Sequence, residues 1–320
     1  MDSKQFDLIF YHSPCSDGTG GAWILWRNNK NAKLIPSKYG NKIPSDEELK
    51  DKSIVIVDFS FDSQTLLHIS ELSKSTLLLD HHASAERELN NITHPKLTII
   101  FDMKRSGVQL AWDYIYPDKK DSRHWFVEMI ADRDLWTWKL PWSKAVGNST
   151  FNLGYHESVE KMEELYNSNK DYSEFESLGN FLIENDLNKI NKILEHVVIC
   201  HFHTPEKTYL VGVTTSPPEL RSEVGSKMCN KFKIDFAVMY QYVYPQDEWW
   251  ISTRASKDSI DLSVILKTVM PNSGGHPKAS GGTIYGPNSN PPDKFKEFKG
   301  QTMFSYLTPL TKEELNKIEK

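Results

Sequence analysis

Residues 75–84 read STLLLDHHAS. Thr76 to Leu79 form a short run with no polar alternation, and Asp80, His81 and His82 follow at once. A run of this kind suits a strand covered on both faces. LIFY (8–11), IVIV (54–57) and LTIIF (97–101) repeat the pattern. Between and after them, GTGGAWILW (18–26), SQTLLHISELS (63–73), GVQLAWDYIY (107–116) and RHWFVEMIAD (123–132) carry apolar residues at helical spacing. Strands alternating with helices predict an α/β fold: an N-terminal, Rossmann-like domain built on a parallel sheet.

Further along, residues 156 to about 200 read as almost wholly helical. In ENDLNKINKILEHVV (184–198), Leu187, Ile190, Ile193, Leu194 and Val197 share one stripe, as a helix bridging two domains would show. TYLVGVTT (208–215), DFAVMYQYV (235–243) and WWISTRAS (249–256) are then strand-like. They alternate with helical EVGSKMCNKF (223–232) and DLSVILKTV (261–269), a second, smaller α/β unit. The expected organisation is a first domain over 1–180, a helical linker over 181–205, a second domain over 206–286 and a tail over 287–320.

In open parallel sheets, ligands bind beyond the carboxyl ends of the strands. LIFY is followed by His12, Cys15 and Asp17, IVIV by Asp58, and TLLL by Asp80, His81 and His82. A helical stretch ending in MIA is followed by Asp132. Singly, each has a structural reading: a hydrogen-bonded core histidine, an N-cap, a turn residue, a charged helix end. Together they place carboxylate oxygen and imidazole nitrogen on one edge, the donor set that divalent metals take. Arg105-Ser106-Gly107 precedes a helix whose N-terminus could receive a phosphate, although Ser106 also suits a plain N-cap. In the second unit, SGGHPKASGG (273–282) offers Gly274 and Gly275 for close backbone approach to an anion, with His276, Lys278 and Ser280 as polar groups. Arg254 could grip a phosphate in bidentate fashion or serve as an edge-strand charge.

These pieces, in this order, resemble the DHH phosphoesterase superfamily, which includes RecJ-like exonucleases, nanoRNases, phosphoadenosine phosphatases and manganese pyrophosphatases. The resemblance runs through HSPCSDG (12–18), Asp58, DHH (80–82), ADRD (131–134) and SGGHPKASGG, over roughly residues 5–286. It implies metal-assisted phosphoester hydrolysis. Two ions, Mn²⁺ with Mg²⁺ or Co²⁺ as alternatives, would be held by His12, Asp17, Asp58, His81 and Asp132, with Asp58 bridging. Asp80 would orient a histidine of the tripeptide, and His82 would contact the phosphoryl group or leaving oxygen. Arg105, Ser106, Arg254, Gly274, Gly275, His276 and Ser280 would bind substrate; Ser222 and Glu223 resemble further positions of the substrate domain. Cys15 stands where the family's first motif usually has an aspartate, so a thiolate ligand and a small buried residue are both open. The glycine-rich second unit resembles the nanoRNase and phosphoadenosine phosphatase branch, which implies a short oligonucleotide, dinucleotide or nucleotide substrate. A pyrophosphatase or polyphosphatase, and an inactive nucleotide-binding module, are the rival readings. A homodimer is compatible with the resemblance.

Composition narrows the partners. The 320 residues hold 38 Lys and Arg against 43 Asp and Glu, a net charge of −5, which argues against a broad nucleic-acid surface. No run approaches the roughly 18 apolar residues of a membrane span. The start, MDSKQFDLIFYHS, lacks the basic region of a signal peptide, and three scattered cysteines suggest no disulfide framework. The expectation is a cytoplasmic enzyme.

Overall fold

The computed structural model describes residues 4–38, 42–290, 303–311 and 313–315. The chain divides into two units, Met1–Glu184 and Asn185–Lys320.

In the first unit, β1 (Leu8–His12), β2 (Lys33–Ser37), β3 (Ser53–Val57), β4 (Ser75–Asp80) and β5 (Leu97–Phe101) form one sheet in the order β2-β1-β3-β4-β5. Every pairing is parallel. The apolar runs explain this. Successive strand residues point to opposite faces, so Val55, Val57, Leu77 and Leu79 enter one core while Ile54, Ile56 and Leu78 enter the other. The first core is closed by α1 (Ser16–Asn28) and α5 (Gly107–Ile115). The second is closed by α3 (Ser63–Leu72) and α4 (Ala83–Leu89), with the short α2 (Asp46–Leu49) contributing Leu49. Then follow α6 (Trp125–Asp134), α7 (Ser143–Asn152), α8 (Val159–Asn167) and α9 (Ser173–Leu194), whose residues 185–194 fall in the second unit. The chain order reverses between β1 and β3, so the ends of these strands flank the switch point where such sheets bind ligands.

The second unit carries β6 (Val198–His203), β7 (Thr208–Thr215), α10 (Arg221–Lys231), β8 (Phe236–Val243), β9 (Glu248–Arg254), α11 (Leu262–Ile265), β10 (Gly274–His276), β11 (Ala279–Tyr285) and β12 (Leu307–Pro309). Its sheet runs β10-β11-β9-β8-β7-β6-β12, with β7 and β8 parallel and the other pairs antiparallel. The end of α9 seals one face: Ile190 and Leu194 pack with Val224 and Met228 of α10.

Helix does not persist through the expected linker. It stops at Leu194, and residues 198–203 pair with β7 as a strand. Cys200 and Phe202 are buried on alternate positions there, the signature of a strand rather than a helix. Of the tail, 291–302, 312 and 316–320 lie outside the described residues, whereas Leu307–Pro309 pairs with β6.

Candidate metal centre

Four elements end at one place. His12 is the last residue of β1, Asp17 lies in the first turn of α1, Asp58 follows β3, and Asp80, His81 and His82 join β4 to α4. Asp17, Asp58, Asp80 and His81 are buried. Nε2 of His81 lies 3.1 Å from Oδ1 of Asp58, 3.5 Å from Oδ2 of Asp134 and 3.6 Å from Oδ2 of Asp17. The other oxygen of Asp58 faces Nδ1 of His12 at 3.5 Å. Three groups of ligand atoms, each within 4.8 Å, therefore share Asp58: His12 with Cys15, Asp17 with His81, and Asp80 with His82. Asp58 adopts φ 55°, a left-handed conformation that aspartate tolerates better than most residues.

The electrostatics are those of a site short of positive charge. Burial first, and then the Asp134 and Asp58 carboxylates, push Asp17 well above its usual range. Asp134 is likewise raised, by burial and by Asp58 against the pull of His81. Burial works against a charged His81, but the Asp58 hydrogen bond and the three surrounding carboxylates hold its pKa up to about 10. Burial also acts to raise Asp58, and the attraction of the His12 and His81 imidazoles outweighs it, leaving that carboxyl well below its ordinary value. The Cys15 thiol is pushed well up, by burial first and then by Asp58, Asp134 and Asp17. Among the described residues, the buried oxygens Oδ2 of Asp58 and Oδ2 of Asp134 accept no hydrogen bond. Converging carboxylates with unsatisfied buried oxygens are costly unless a cation offsets them, and this donor set fits a divalent metal.

Asp80 belongs to the third of these groups, but its carboxylate is already engaged by protein donors. Its Oδ1 accepts from Nδ1 of His82 at 2.7 Å and from the His81 N–H at 2.7 Å, and its Oδ2 accepts from Oγ of Ser60 at 2.5 Å. It orients His82 from behind. Burial disfavours a charged His82, but the Asp80 carboxylate prevails and raises its pKa.

The structure does not bring Asp132 into the cluster. Its carboxylate accepts from Oγ1 of Thr137, Oγ of Ser143 and the N–H groups of Lys139 and Leu140. Asp134 is the neighbour of His81 instead. Helical geometry separates the two: Val127, Ile130 and Asp134 lie on one stripe of α6, and Met129 and Asp132 on another. Ile130 lies near Gly20 of α1 and Val108 of α5, whereas Met129 touches Thr150 of α7. The spacing of Asp134 from Val127 and Ile130 was a signal for it in the sequence.

The expected phosphate site at Arg105 and Ser106 is also occupied by protein. The N–H groups of Gly107 and Val108, at the start of α5, donate to Asp17. Arg105 donates to Asp102 and Asp113, each at 2.8 Å, and Arg123 extends that network to Glu128. Ser106 is buried, and its N–H donates to Gln109 Oε1. The helix N-terminus thus fixes a carboxylate of the cluster.

In the second unit, the glycine-rich stretch is a β-hairpin: Gly274 pairs with Gly281, Gly275 with Ser280 and His276 with Ala279. Gly275 sits at φ 133°, where a side chain would meet the Ser280 Cα at 2.9 Å. Oγ of Ser280 donates to the Gly274 carbonyl at 2.7 Å, so both groups hold the hairpin. Arg254 donates to Oγ of Ser222 at 2.7 Å, and burial first, then Arg221, bring its pKa down to about 10. Arg221 reaches Oγ of Ser252 at 3.3 Å. Among the described residues neither arginine forms an ion pair with a carboxylate. Arg221 had no distinguishing sequence signal beyond its place before Ser222.

The chain has a viral relative. An uncharacterized protein of Acanthamoeba polyphaga mimivirus is 29% identical over 298 residues, which cover 88% of this chain and 68% of that protein. No family model matches. Among solved structures, a pGpG-specific phosphodiesterase from Vibrio cholerae matches with TM-score 0.44 and 12% identity, covering 87% of this chain and 93% of that one. A Methanococcus jannaschii protein assigned as a family II inorganic pyrophosphatase gives TM-score 0.31 and 15% identity, over 77% of this chain and 86% of that one. Likenesses of that size carry no weight for chemistry, which rests here on the side chains. Among the described residues, no helix is long and apolar enough to cross a membrane.

Proposed function

We propose that the chain is a divalent-metal-dependent phosphoesterase acting on short oligonucleotides, dinucleotides or nucleotide phosphoesters in a reducing, cytoplasmic setting. The supporting observation is Asp58, common to three groups of ligand atoms and bearing one oxygen toward His12 and the other toward His81. His12, Cys15 and Asp58 would hold one ion; Asp17, Asp58, His81 and Asp134 would hold the other. Mixed carboxylate and imidazole donors favour Mn²⁺ or Co²⁺ over Mg²⁺, which prefers oxygen and water. When bound, such ions supply Lewis acidity toward a phosphoryl group and a nucleophilic water at neutral pH.

The remaining chemistry belongs to the chain. Asp80 accepts from Nδ1 of His82 and favours the protonated imidazole, which would place Nε2 to donate a proton to the leaving oxygen. Ser60 fixes Asp80 in turn. Arg254 and Arg221, without a paired carboxylate among the described residues, form an anion site in the second unit, with His276 on the neighbouring hairpin contacting the remote part of the substrate. Chelation tests the reading: hydrolysis of a dinucleotide should stop without metal and return with Mn²⁺. Release of phosphate from pyrophosphate in preference to the dinucleotide would instead favour a pyrophosphatase.

A further inference from the structure

Two tryptophans follow Asp134 in a backbone conformation that such residues rarely adopt. Trp136 and Trp138 have φ 55° and 49°, in the left-handed region where a bulky side chain is strained. Strain of this kind persists only where the surroundings impose it, and it gathers at ligand sites. Here the cause is visible. Asp132 accepts four hydrogen bonds from Thr137, Lys139, Leu140 and Ser143, and its carbonyl accepts from the Thr137 N–H at 3.0 Å. The loop is wound around one carboxylate.

This winding displays aromatic surface. Trp136 is 37% exposed, and its ring meets that of Trp138 edge to face at 4.8 Å. Lys144 lies 5.5 Å from the Trp138 ring centroid and steadies it by cation–π attraction. Trp142, next in the sequence, is used differently: it stacks on Tyr172 at 4.2 Å within the helical packing. Trp136 is two residues from Asp134, so its Cα lies within about 7 Å of that of a cluster residue. The cost of exposing the Trp136 ring, with Trp138 half-buried against it, on a strained, tightly anchored loop beside a buried charged centre calls for a ligand with a flat face.

We infer that Trp136 and Trp138 form a stacking platform for a nucleobase of the substrate, with Asp132 as its positioning residue. This rests on reading the neighbouring cluster as a phosphoesterase centre. Bases stack on aromatic side chains with little regard to sequence, so the platform distinguishes nucleotide esters from phosphates lacking a base.

The test is calorimetric binding of AMP and of ribose 5-phosphate to the full chain, kept free of metal, for the wild type, Trp136→Ala and the Trp136→Ala/Trp138→Ala double variant. Thermal unfolding accompanies each. The wild type should bind AMP at least tenfold more tightly than ribose 5-phosphate. The double variant should lose most of that preference while binding ribose 5-phosphate as before, and the exposed single variant should lose part of it while remaining folded. An unchanged preference in the folded variants, or none in the wild type, would overturn the platform. Dinucleotide hydrolysis with Mn²⁺ separates this result from the broader reading. Turnover retained at wild-type kcat/KM by the double variant refutes the platform alone. Base-dependent binding without any metal-dependent hydrolysis refutes the phosphoesterase and leaves the platform standing.

Discussion

Asp132 and Asp134, two positions apart on one helix, have opposite electrostatic settings and should respond oppositely to mutation. Asp134 is raised by burial and by Asp58, so without metal its charge is unwelcome. Asp134→Asn should raise the unfolding temperature of metal-free protein by about 2 °C, yet weaken Mn²⁺ binding at least tenfold. An unchanged metal affinity would return the ligand role to another residue. Asp132 is lowered: burial opposes, but bonds from Ser143, Thr137, Lys139 and Leu140 prevail. Asp132→Ala should destabilise the fold by about 1–3 kcal/mol and leave metal content intact, as read by denaturant unfolding and elemental analysis. His156 gives a pH test away from the site. Burial, with Arg133 nearby, lowers its pKa from 6.5 to about 3. The unfolded chain therefore takes up a proton that the folded chain refuses. Stability from this group is complete above pH 6.5 and declines as pH falls toward 3. The unfolding free energy of the wild type relative to His156→Gln should drop by roughly 2–3 kcal/mol between about pH 6.5 and 4; a pH-independent difference would show that His156 is not held neutral.

At the scale of elements, the N-terminus of α5 is built into the cluster through Gly107. A Cβ there would lie 2.6 Å from that of Asp58 and 2.9 Å from Oδ2 of Asp17. Gly107→Ala should push α5 away, cost about 1–3 kcal/mol and reduce Mn²⁺ affinity; thermal unfolding and metal titration that match wild type would show the helix is free to shift. The same elements show what the sequence makes legible. β1, β3, β4 and β5 are continuous apolar runs, and a residue closing such a run must emerge at the sheet edge, which is why His12, Asp58 and the Asp80–His82 tripeptide could be placed. β2 is less legible because KLIPS carries Lys33 and Pro36, tolerated on an edge strand. β6 was hidden because Ile193 and Val197 continue helical spacing up to its first residue. Asp134 shares the Val127 and Ile130 stripe, but that spacing did not by itself choose it over Asp132, since which face of α6 meets α1 and α5 is set by tertiary packing. The hydrogen bonds that occupy Arg105 and Ser280 are local, but they depend on a turn and a hairpin whose geometry the residue types alone do not fix.

For the whole molecule, net charge and partition into two units constrain function together. A chain of net charge −5 lacks the electrostatic grip that holds long nucleic acid, so turnover per molecule should fall steeply as an oligonucleotide grows beyond a few nucleotides; equal efficiency on long single strands would contradict a short-substrate enzyme. Because the proposed ligands all lie within Met1–Glu184, Mn²⁺ should slow amide exchange around β1, β3, β4 and the start of α5 more than in the second sheet. The most direct test of the metal centre is Mn²⁺ titration of chelated wild type and Asp58→Ala, with dinucleotide hydrolysis followed at each point. The wild type should be inactive without metal and regain turnover as its sites fill, while folded Asp58→Ala should bind Mn²⁺ weakly and remain inactive. Full turnover by verified metal-free wild type, or wild-type Mn²⁺ binding and turnover by Asp58→Ala, would contradict the account.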